Sequence, residues 1–305
     1  MLGSLDEVPQ EERQNWIEWI YLHLVDPSGF RGSLSHCLDA SVSLYDPPNL
    51  SSTYFCLASL CLLEDSSLPV RIDRQRILEY LKHCQREDGG FNSVYHPSTG
   101  PYGDGDARYL YVASAIRRIL GCDNSHQTFD IERAYLFIKS TKSYDGGLSD
   151  APWSESHSGL IYCGLAALAL CGKLDPSEWE DTALWLGNRQ LDGSSIDTGY
   201  WDPDDVGGVN GRCNKPADTC YSFWTGASLK ILGHYDFIDV EAQRKFLLDH
   251  MQSSILGGFA KAKEAYPDPL HSYLGLAALD LDGDSFDAAL CLPKTTVNFI
   301  DNIQW

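Results

Sequence analysis

The chain has 305 residues, 43% of them hydrophobic, which is enough to bury one large core or two modest ones. Its formal net charge of −20 argues against a nucleic-acid backbone as the ligand. We expect a cytoplasmic protein with no transmembrane segment, because every long apolar run carries charges, the N-terminus is acidic, and the ten cysteines are scattered through apolar stretches rather than clustered.

Helical patterns alternate with glycine turns along the chain. The turns are Asp88-Gly89-Gly90-Phe91, Asp145-Gly146-Gly147-Leu148, Asp192-Gly193-Ser194 and Leu256-Gly257-Gly258-Phe259. Their spacing is irregular, and an insert over residues 195–216 separates the last two. An amphipathic stretch precedes each turn, at 72–84, 131–142, 177–189 and 240–252. We interpret these four stretches as outer helices.

A second set of helical stretches follows the turns and is rich in small residues. These stretches are 108–115, 157–170, 218–232 and 271–279. They are apolar on nearly every face, as expected for inner helices enclosed by neighbours. No stretch shows sustained alternation of period two, so we expect few sheets. The sequence predicts an all-α fold, a single α/α barrel domain over 1–305 built from inner and outer helix pairs, with an open solenoid as the alternative.

Inner helices of such a barrel run in the same direction, so their N-termini meet at one mouth. Converging helix N-termini favour an anion. The polar residues at these starts are Arg108, His157, Asp218, Cys220, Tyr221 and His271. We therefore expect the active site at this mouth.

Three of these residues form a candidate metal site. Asp218 is a predicted N-cap, Cys220 follows in the first turn, and His271 starts the helix of the next repeat. The helix start should favour the thiolate form of Cys220. Asp, Cys and His leave one position open on zinc, as catalytic sites do. The alternative is an ordinary cap, a buried cysteine and a hydrogen-bonded histidine.

Cationic and aromatic residues surround the candidate metal site. Arg212, Lys215, Tyr221, Lys261 and His157 could together hold a diphosphate. The alternative for Arg212 and Lys215 is an ordinary solvated surface pair. Six aromatic residues could line a cavity for a long apolar ligand, or could simply pack in the core: Tyr109, Tyr111, Tyr162, Phe223, Trp224 and Tyr273.

The segment Gly211-Arg-Cys-Asn-Lys-Pro-Ala-Asp-Thr-Cys-Tyr-Ser-Phe-Trp224 resembles the zinc-site signature of protein prenyltransferase β subunits. Asp268-Pro-Leu-His271, Glu155-Ser-His-Ser-Gly159 and the glycine turns extend the similarity over roughly 29–281. Within that family, Asn214-Lys-Pro-Ala-Asp-Thr-Cys220 looks most like the geranylgeranyltransferase type I branch.

The resemblance implies an obligate heterodimer with a helical α subunit, and zinc bound by Asp218, Cys220 and His271. It implies diphosphate contacts from His157, Arg212, Lys215 and Tyr221, and a lipid and peptide cavity lined by Arg108, Tyr111, Ser158, Gly159, Cys163 and Trp224. Lys261 stands where farnesyltransferases carry a magnesium-binding aspartate, so no Mg²⁺ requirement is expected. The implied substrates are geranylgeranyl diphosphate and C-terminal CaaX proteins such as small GTPases.

Three positions bear on specificity. Cys213 replaces the proline that the family usually carries, and Leu274 replaces an expected aromatic beside the last residue of the peptide. Ser51 stands where farnesyltransferases carry a tryptophan at the cavity floor, and the resemblance implies room there for a longer lipid. Alternatively, Ser51 is only the N-cap of a helix over 52–63.

The sequence leaves other functions as alternatives. A farnesyltransferase is disfavoured by Lys261, and a Rab geranylgeranyltransferase is a further relative. A non-catalytic helical scaffold that binds peptides would need no metal at Asp218, Cys220 and His271. A terpene cyclase is disfavoured because the chain shows no Asp-rich cyclisation motif.

Overall fold

The computed structural model describes residues 4–25, 28–36, 46–122, 128–193 and 202–305. Helices dominate these residues. The α-helices are α1 (Gln10–Tyr21), α2 (Leu50–Leu62), α3 (Leu68–Arg71), α4 (Arg74–Cys84), α5 (Ala107–Ile119), α6 (Ile131–Ser140), α7 (Ser158–Leu170), α8 (Glu180–Gly187), α9 (Thr219–Leu232), α10 (Val240–Lys245), α11 (Pro269–Asp280) and α12 (Lys294–Asn302).

Strands are short and form three antiparallel pairs in the described part of the chain. They are β1 (Leu24–Val25) with β2 (Gly29–Phe30), β3 (Val94–His96) with β4 (Gly100–Tyr102), and β5 (Phe286–Asp287) with β6 (Leu292–Pro293). The expectation of few sheets is confirmed for these residues.

The chain forms two compact units. The first unit consists of Leu2–Lys139, Leu170–Lys173 and Lys294–Trp305, and the second consists mainly of Ser140–Ala169 and Leu174–Pro293. In the second unit, the inner helix α9 packs against α11 and α8. In the first unit, α2 packs against the inner helix α5. Each unit thus has its own packed helices.

Burial separates the two predicted kinds of helix. Every residue of the inner helix α7 from 161 to 168 is buried. The outer helix α4 instead buries one face, through Ile77, Leu78, Tyr80, Leu81 and Cys84. Two outer segments depart from regular α-helix. The segment 177–189 begins with a 3₁₀ turn at Pro176–Trp179 before α8, and 240–252 ends with a π-helix at Phe246–Met251 after α10.

The glycine turns exist because a backbone carbonyl of the next outer helix lies where a side chain would be. Gly89, Gly146 and Gly207 all have φ between +83° and +92°. A Cβ atom on each would collide with a carbonyl in the first turn of α6, α8 and α10, respectively. Positive φ and this close approach both require glycine.

The third glycine turn lies elsewhere than predicted. The backbone bridge that closes it joins Gln190 to Val209, and Gly207 packs against Ala242 of α10. Asp192 and Gly193 therefore begin the insert rather than form the repeat turn, and Ser194 lies outside the described residues. The inserted residues therefore lie inside the turn, between Gln190 and Val209, and not after it. Sequence spacing alone missed this because both glycine motifs follow the same helix.

Asx side chains begin most of the helices. Asp73, Asp106, Asp218, Asp239 and Asp268 accept backbone N–H groups at the starts of α4, α5, α9, α10 and α11. A carboxylate there pairs with unsatisfied donors and with the positive end of the helix dipole. The prediction that Asp218 is an N-cap is confirmed.

Asn49, and not Ser51, caps α2. The Asn49 Oδ1 atom accepts hydrogen bonds from the backbone N–H of Ser51 at 2.9 Å and of Ser52 at 3.3 Å. The alternative that Ser51 is the cap is therefore wrong, because the helix begins at Leu50, two residues before the predicted start at 52.

We expect Asn49→Ala to lower the free energy of unfolding by about 1 kcal/mol, because it removes the acceptor for these two N–H groups. Ser51→Ala should change stability far less. Urea denaturation of the two variants beside the wild type checks this. A larger loss in Ser51→Ala than in Asn49→Ala would contradict the assignment of the cap.

Candidate functional site

The starts of α9 and α11 bring three potential metal ligands together in the second unit. One ligand atom each from Asp218, Cys220 and His271 lies within 4.8 Å of the others. The Nε2 atom of His271 is 3.3 Å from the Oδ1 atom of Asp218. All three residues are buried. The predicted cluster thus forms from residues up to 53 positions apart in the sequence, because two helices begin side by side.

Asp268 orients the histidine of this cluster. Its Oδ1 atom accepts the backbone N–H of His271 at 3.0 Å, and its Oδ2 atom is 2.6 Å from Nδ1 of the ring. These hydrogen bonds hold the pKa of Asp268 below its usual value. Because a carboxylate only accepts, Nδ1 carries a proton, and Nε2, which faces Asp218, is the ring nitrogen that can bind a metal.

Burial is the main influence on the pKa of the Cys220 thiol. Loss of solvent, and then the neighbouring Asp218 carboxylate, raise the pKa of Cys220 in the protein alone. The expectation that the helix start favours a thiolate is therefore wrong for the protein without a cation, because burial and Asp218 both favour the neutral thiol. A bound divalent cation would reverse this balance, because it stabilises the thiolate directly.

Lys261 lies next to the cluster. Its Nζ atom is 3.9 Å from the Oδ2 atom of Asp218, while the side chain remains largely exposed. The backbone carbonyl of Lys261 accepts the N–H of Thr219 at 3.1 Å. The first residue of α9 thus holds Lys261 at the edge of the candidate metal site.

His157 and Tyr221 form a second polar pair. The Tyr221 hydroxyl is 3.0 Å from Nε2 of His157, and the Gly159 N–H donates to Nδ1 at 3.0 Å. Because Nδ1 accepts, neutral His157 carries its proton on Nε2. Burial raises the pKa of Tyr221 to about 12. The Nε2–H of His157 therefore donates to the Tyr221 hydroxyl, which leaves the O–H of Tyr221 to donate to an anionic ligand.

Gly211 lets the loop before α9 lie flat on Tyr221. A Cβ atom at Gly211 would overlap the Tyr221 ring. The carbonyl of Gly211 accepts the N–H of Ser158 at 2.9 Å, which joins this loop to the start of α7. Glycine is required here by contact with the ring, and the contact places Arg212 beside the polar pair.

Arg212 forms an ion pair that the sequence did not indicate. Its NH1 atom is 3.2 Å from the Oε2 atom of Glu155. Lys215 is exposed in the same loop, and Asn214 between them has a φ of +59°. The predicted cations are therefore in the second unit with the metal cluster, and Arg212 has an acidic neighbour.

The other predicted residues of the second unit are mostly buried. Trp224 is half-buried, with its ring 4.8 Å from that of Tyr162, and Cys163 is buried. Ser158 is fully buried, and its hydroxyl has no hydrogen-bond partner within the described residues. The Tyr162 hydroxyl donates to the carbonyl of Ala288, which supports core packing for this ring.

Three predicted site residues belong to the first unit. Arg108 is exposed and pairs with Asp106, the cap of α5, at 2.6 Å. The Tyr111 hydroxyl is 3.2 Å from that of Tyr54. Ser51 is half-buried near the start of α2. Their contact with a ligand stays a prediction.

Sequence reasoning missed the roles of Asp268 and Glu155. The spacing of Asp268 and His271 was a usable signal, because residues three apart at a helix start can share a contact. No comparable signal existed for Glu155, whose partner is 57 residues away.

Residues 1–301 match the family model of the prenyltransferase alpha-alpha toroid domain. The chain is 34% identical over 297 residues to the geranylgeranyl transferase type-1 subunit beta of Dictyostelium discoideum, covering 90% of this chain and 77% of that protein. It is 36% identical over 313 residues to the subunit of the same name from Arabidopsis thaliana, covering 95% and 76%.

A solved structure agrees with these matches. The protein geranylgeranyltransferase-I of Candida albicans, complexed with GGPP, superposes with a TM-score of 0.87 at 29% identity, covering 98% of this chain and 87% of that one. The predicted all-α class and α/α toroid architecture are confirmed. Among the described residues, no helix combines the length and apolarity needed to cross a membrane.

Proposed function

The chain belongs to the prenyltransferase alpha-alpha toroid family, and on that basis we propose that it is the catalytic β subunit of a zinc-dependent protein geranylgeranyltransferase type I. It transfers a geranylgeranyl group from geranylgeranyl diphosphate to the cysteine of C-terminal CaaX proteins, with Leu often in the last position. The observation that carries this proposal is the meeting of Asp218, Cys220 and His271 beside a set of cationic and hydroxyl donors.

The donor set fits zinc. One carboxylate oxygen, one thiol sulfur and one imidazole nitrogen are all zinc ligands, and three protein ligands leave a position for substrate. Asp268 supplies the carboxylate that metal-bound histidines usually contact. Zinc, when bound, supplies the Lewis acidity that lowers the pKa of the substrate thiol. With one aspartate and one thiolate the site is formally neutral.

The remaining side chains act on the diphosphate. The carbon–oxygen bond at the first carbon of the lipid breaks as the carbon–sulfur bond forms, so the electron pair moves to the departing diphosphate. Tyr221 donates its O–H group to it, His157 donates its Nε2–H once that group leaves the Tyr221 hydroxyl, and Arg212, Lys215 and Lys261 supply positive charge. Fixed donors of this kind act most strongly where negative charge develops.

Lys261 supports a magnesium-independent reaction. Its ammonium group lies beside the candidate zinc ligand Asp218, and its side chain is largely exposed. A cation that is part of the chain can neutralise diphosphate charge in place of Mg²⁺. We therefore propose zinc as the cofactor, with no Mg²⁺ requirement.

Ser51 is proposed to set the length of the lipid. Because Asn49 caps α2, the Ser51 hydroxyl is not needed for capping. An indole at this position would fill the volume that we assign to the fourth isoprene unit, since packed walls do not yield to added volume.

We expect Ser51→Trp to shift preference from geranylgeranyl to farnesyl diphosphate. Competition between the two lipids, read as product mass on a Cys-a-a-Leu peptide, measures the shift. Ser59→Trp adds an indole to another half-buried position of α2 and should leave the ratio unchanged. An unaltered product ratio in a folded Ser51→Trp protein would contradict the assignment of Ser51 to the lipid cavity.

The partner is proposed to be a prenyltransferase α subunit. The relatives are named beta subunits, which supports a heterodimer. Tyr144 and Trp153 of the second unit are almost fully exposed, and large exposed aromatics are typical of contact surfaces. We further propose that 1–305 acts as one domain and that the protein is cytoplasmic.

Co-expression with a candidate α subunit tests the proposed function. The purified complex should contain one zinc per heterodimer and should add the mass of a geranylgeranyl group to a Cys-a-a-Leu peptide. A complex without zinc that still binds the peptide would instead support the non-catalytic scaffold. Faster transfer from farnesyl diphosphate than from geranylgeranyl diphosphate would indicate a farnesyltransferase instead.

A further inference from the structure

A carboxylate outside the candidate zinc cluster contacts Arg212, one of the cations that we assign to the diphosphate. Glu155 lies two residues before His157, and its Oε2 atom is 3.2 Å from NH1 of Arg212. We propose that Glu155 is a positioning residue that pairs with Arg212 in the empty site and yields Arg212 to the diphosphate, so that it sets how tightly diphosphate is held. This proposal rests on the proposed function.

The backbone holds the two partners in place. The N–H of Ser158 donates to the carbonyl of Gly211 at 2.9 Å, so the segments that carry Glu155 and Arg212 are joined directly. The Gly211 backbone also packs on the Tyr221 ring, whose hydroxyl contacts His157. The ion pair is therefore part of a connected cluster at the proposed diphosphate site.

The exposure of the pair suits an exchange of partners. The side chains of Arg212 and Glu155 are 42% and 55% exposed. Ion pairs this exposed are weak, because water screens both charges. A diphosphate carries several negative charges and accepts hydrogen bonds from a guanidinium in a bidentate manner. The diphosphate therefore displaces Glu155 from Arg212. Its affinity for the protein is reduced by the free energy of the Arg212–Glu155 ion pair that it replaces.

The charge change makes a clear prediction about affinity. Glu155→Gln keeps the size of the side chain and removes its charge, so Arg212 no longer has to leave an ionic partner. We expect the complex with the α subunit to bind inorganic diphosphate about two- to fivefold more tightly, the range that exposed ion pairs support. The KM for geranylgeranyl diphosphate should fall, and inhibition by released diphosphate should strengthen.

Calorimetric titration with inorganic diphosphate measures the first effect, and steady-state kinetics measures the second. Glu155→Asp restores the charge and should return the affinity toward the wild-type value. In an Arg212→Gln background, Glu155→Gln should have no effect, because the two residues act through one contact. Glu132→Gln is the matched control, because it breaks an exposed ion pair with Lys173 in the first unit. The side chain of Lys173 is 36% exposed and that of Glu132 is 70% exposed.

The sign of the change separates this role from a structural one. If Glu155 only held the loop in place, Glu155→Gln would loosen Arg212 and weaken diphosphate binding. Weaker or unchanged binding in Glu155→Gln overturns the proposal. A wild-type complex that binds neither inorganic diphosphate nor geranylgeranyl diphosphate overturns the proposed function itself, and this inference with it.

Discussion

Replacing Cys220 with alanine is expected to remove zinc and turnover together. The sulfur is one of three ligand atoms within 4.8 Å of each other, and alanine leaves only the carboxylate of Asp218 and the ring of His271. Loss of an outer-shell partner already costs about 10- to 100-fold in metal affinity, so loss of a direct ligand should cost more. Binding of geranylgeranyl diphosphate should persist, because other side chains hold the diphosphate.

Metal analysis of the purified heterodimer and a lipid-binding titration check the two halves of this prediction. Cys213→Ala is the matched control, because Cys213 is exposed in the loop before α9 and is not among the ligands. It should keep its zinc. Full zinc occupancy in Cys220→Ala would contradict the assignment of Cys220 as a zinc ligand.

Replacing Lys261 with aspartate should produce the second large effect. The variant loses a cation near the diphosphate and places a new carboxylate near Asp218, which the wild-type Lys261 Nζ atom approaches to 3.9 Å. We expect turnover without magnesium to fall by about 100-fold, as for loss of one fixed charge-stabilising group. Added Mg²⁺ should restore part of the rate, because the new carboxylate can help bind it.

Turnover measured across a magnesium titration, with zinc held constant, tests this expectation. Lys263→Asp makes the same change of charge two residues away, where the side chain pairs with Asp202 and Asp204. It should create no magnesium dependence. Wild-type turnover that itself requires Mg²⁺ would contradict the role of Lys261 and favour a farnesyl-type or Rab-type enzyme.

Local sequence patterns predicted the helices well because the signals lie within a few residues. The predicted inner helix at 218–232 begins at Thr219 because Asp218 accepts the N–H of Cys220 at 2.9 Å. The final helix α12 was not predicted, since no glycine turn precedes it. The cluster of Asp218, Cys220 and His271 was predicted because two of its members share one turn and the third begins the next inner helix.

Contacts between distant segments decided the rest. By itself, the sequence determined which residues begin helices and which stretches are enclosed, because capping and amphipathicity act over one or two turns. Only the tertiary structure placed the third glycine turn at Gly207, raised the pKa of Cys220 by burial, and paired Arg212 with Glu155. Each of these depends on a neighbour supplied by packing, and a one-dimensional pattern does not record such neighbours.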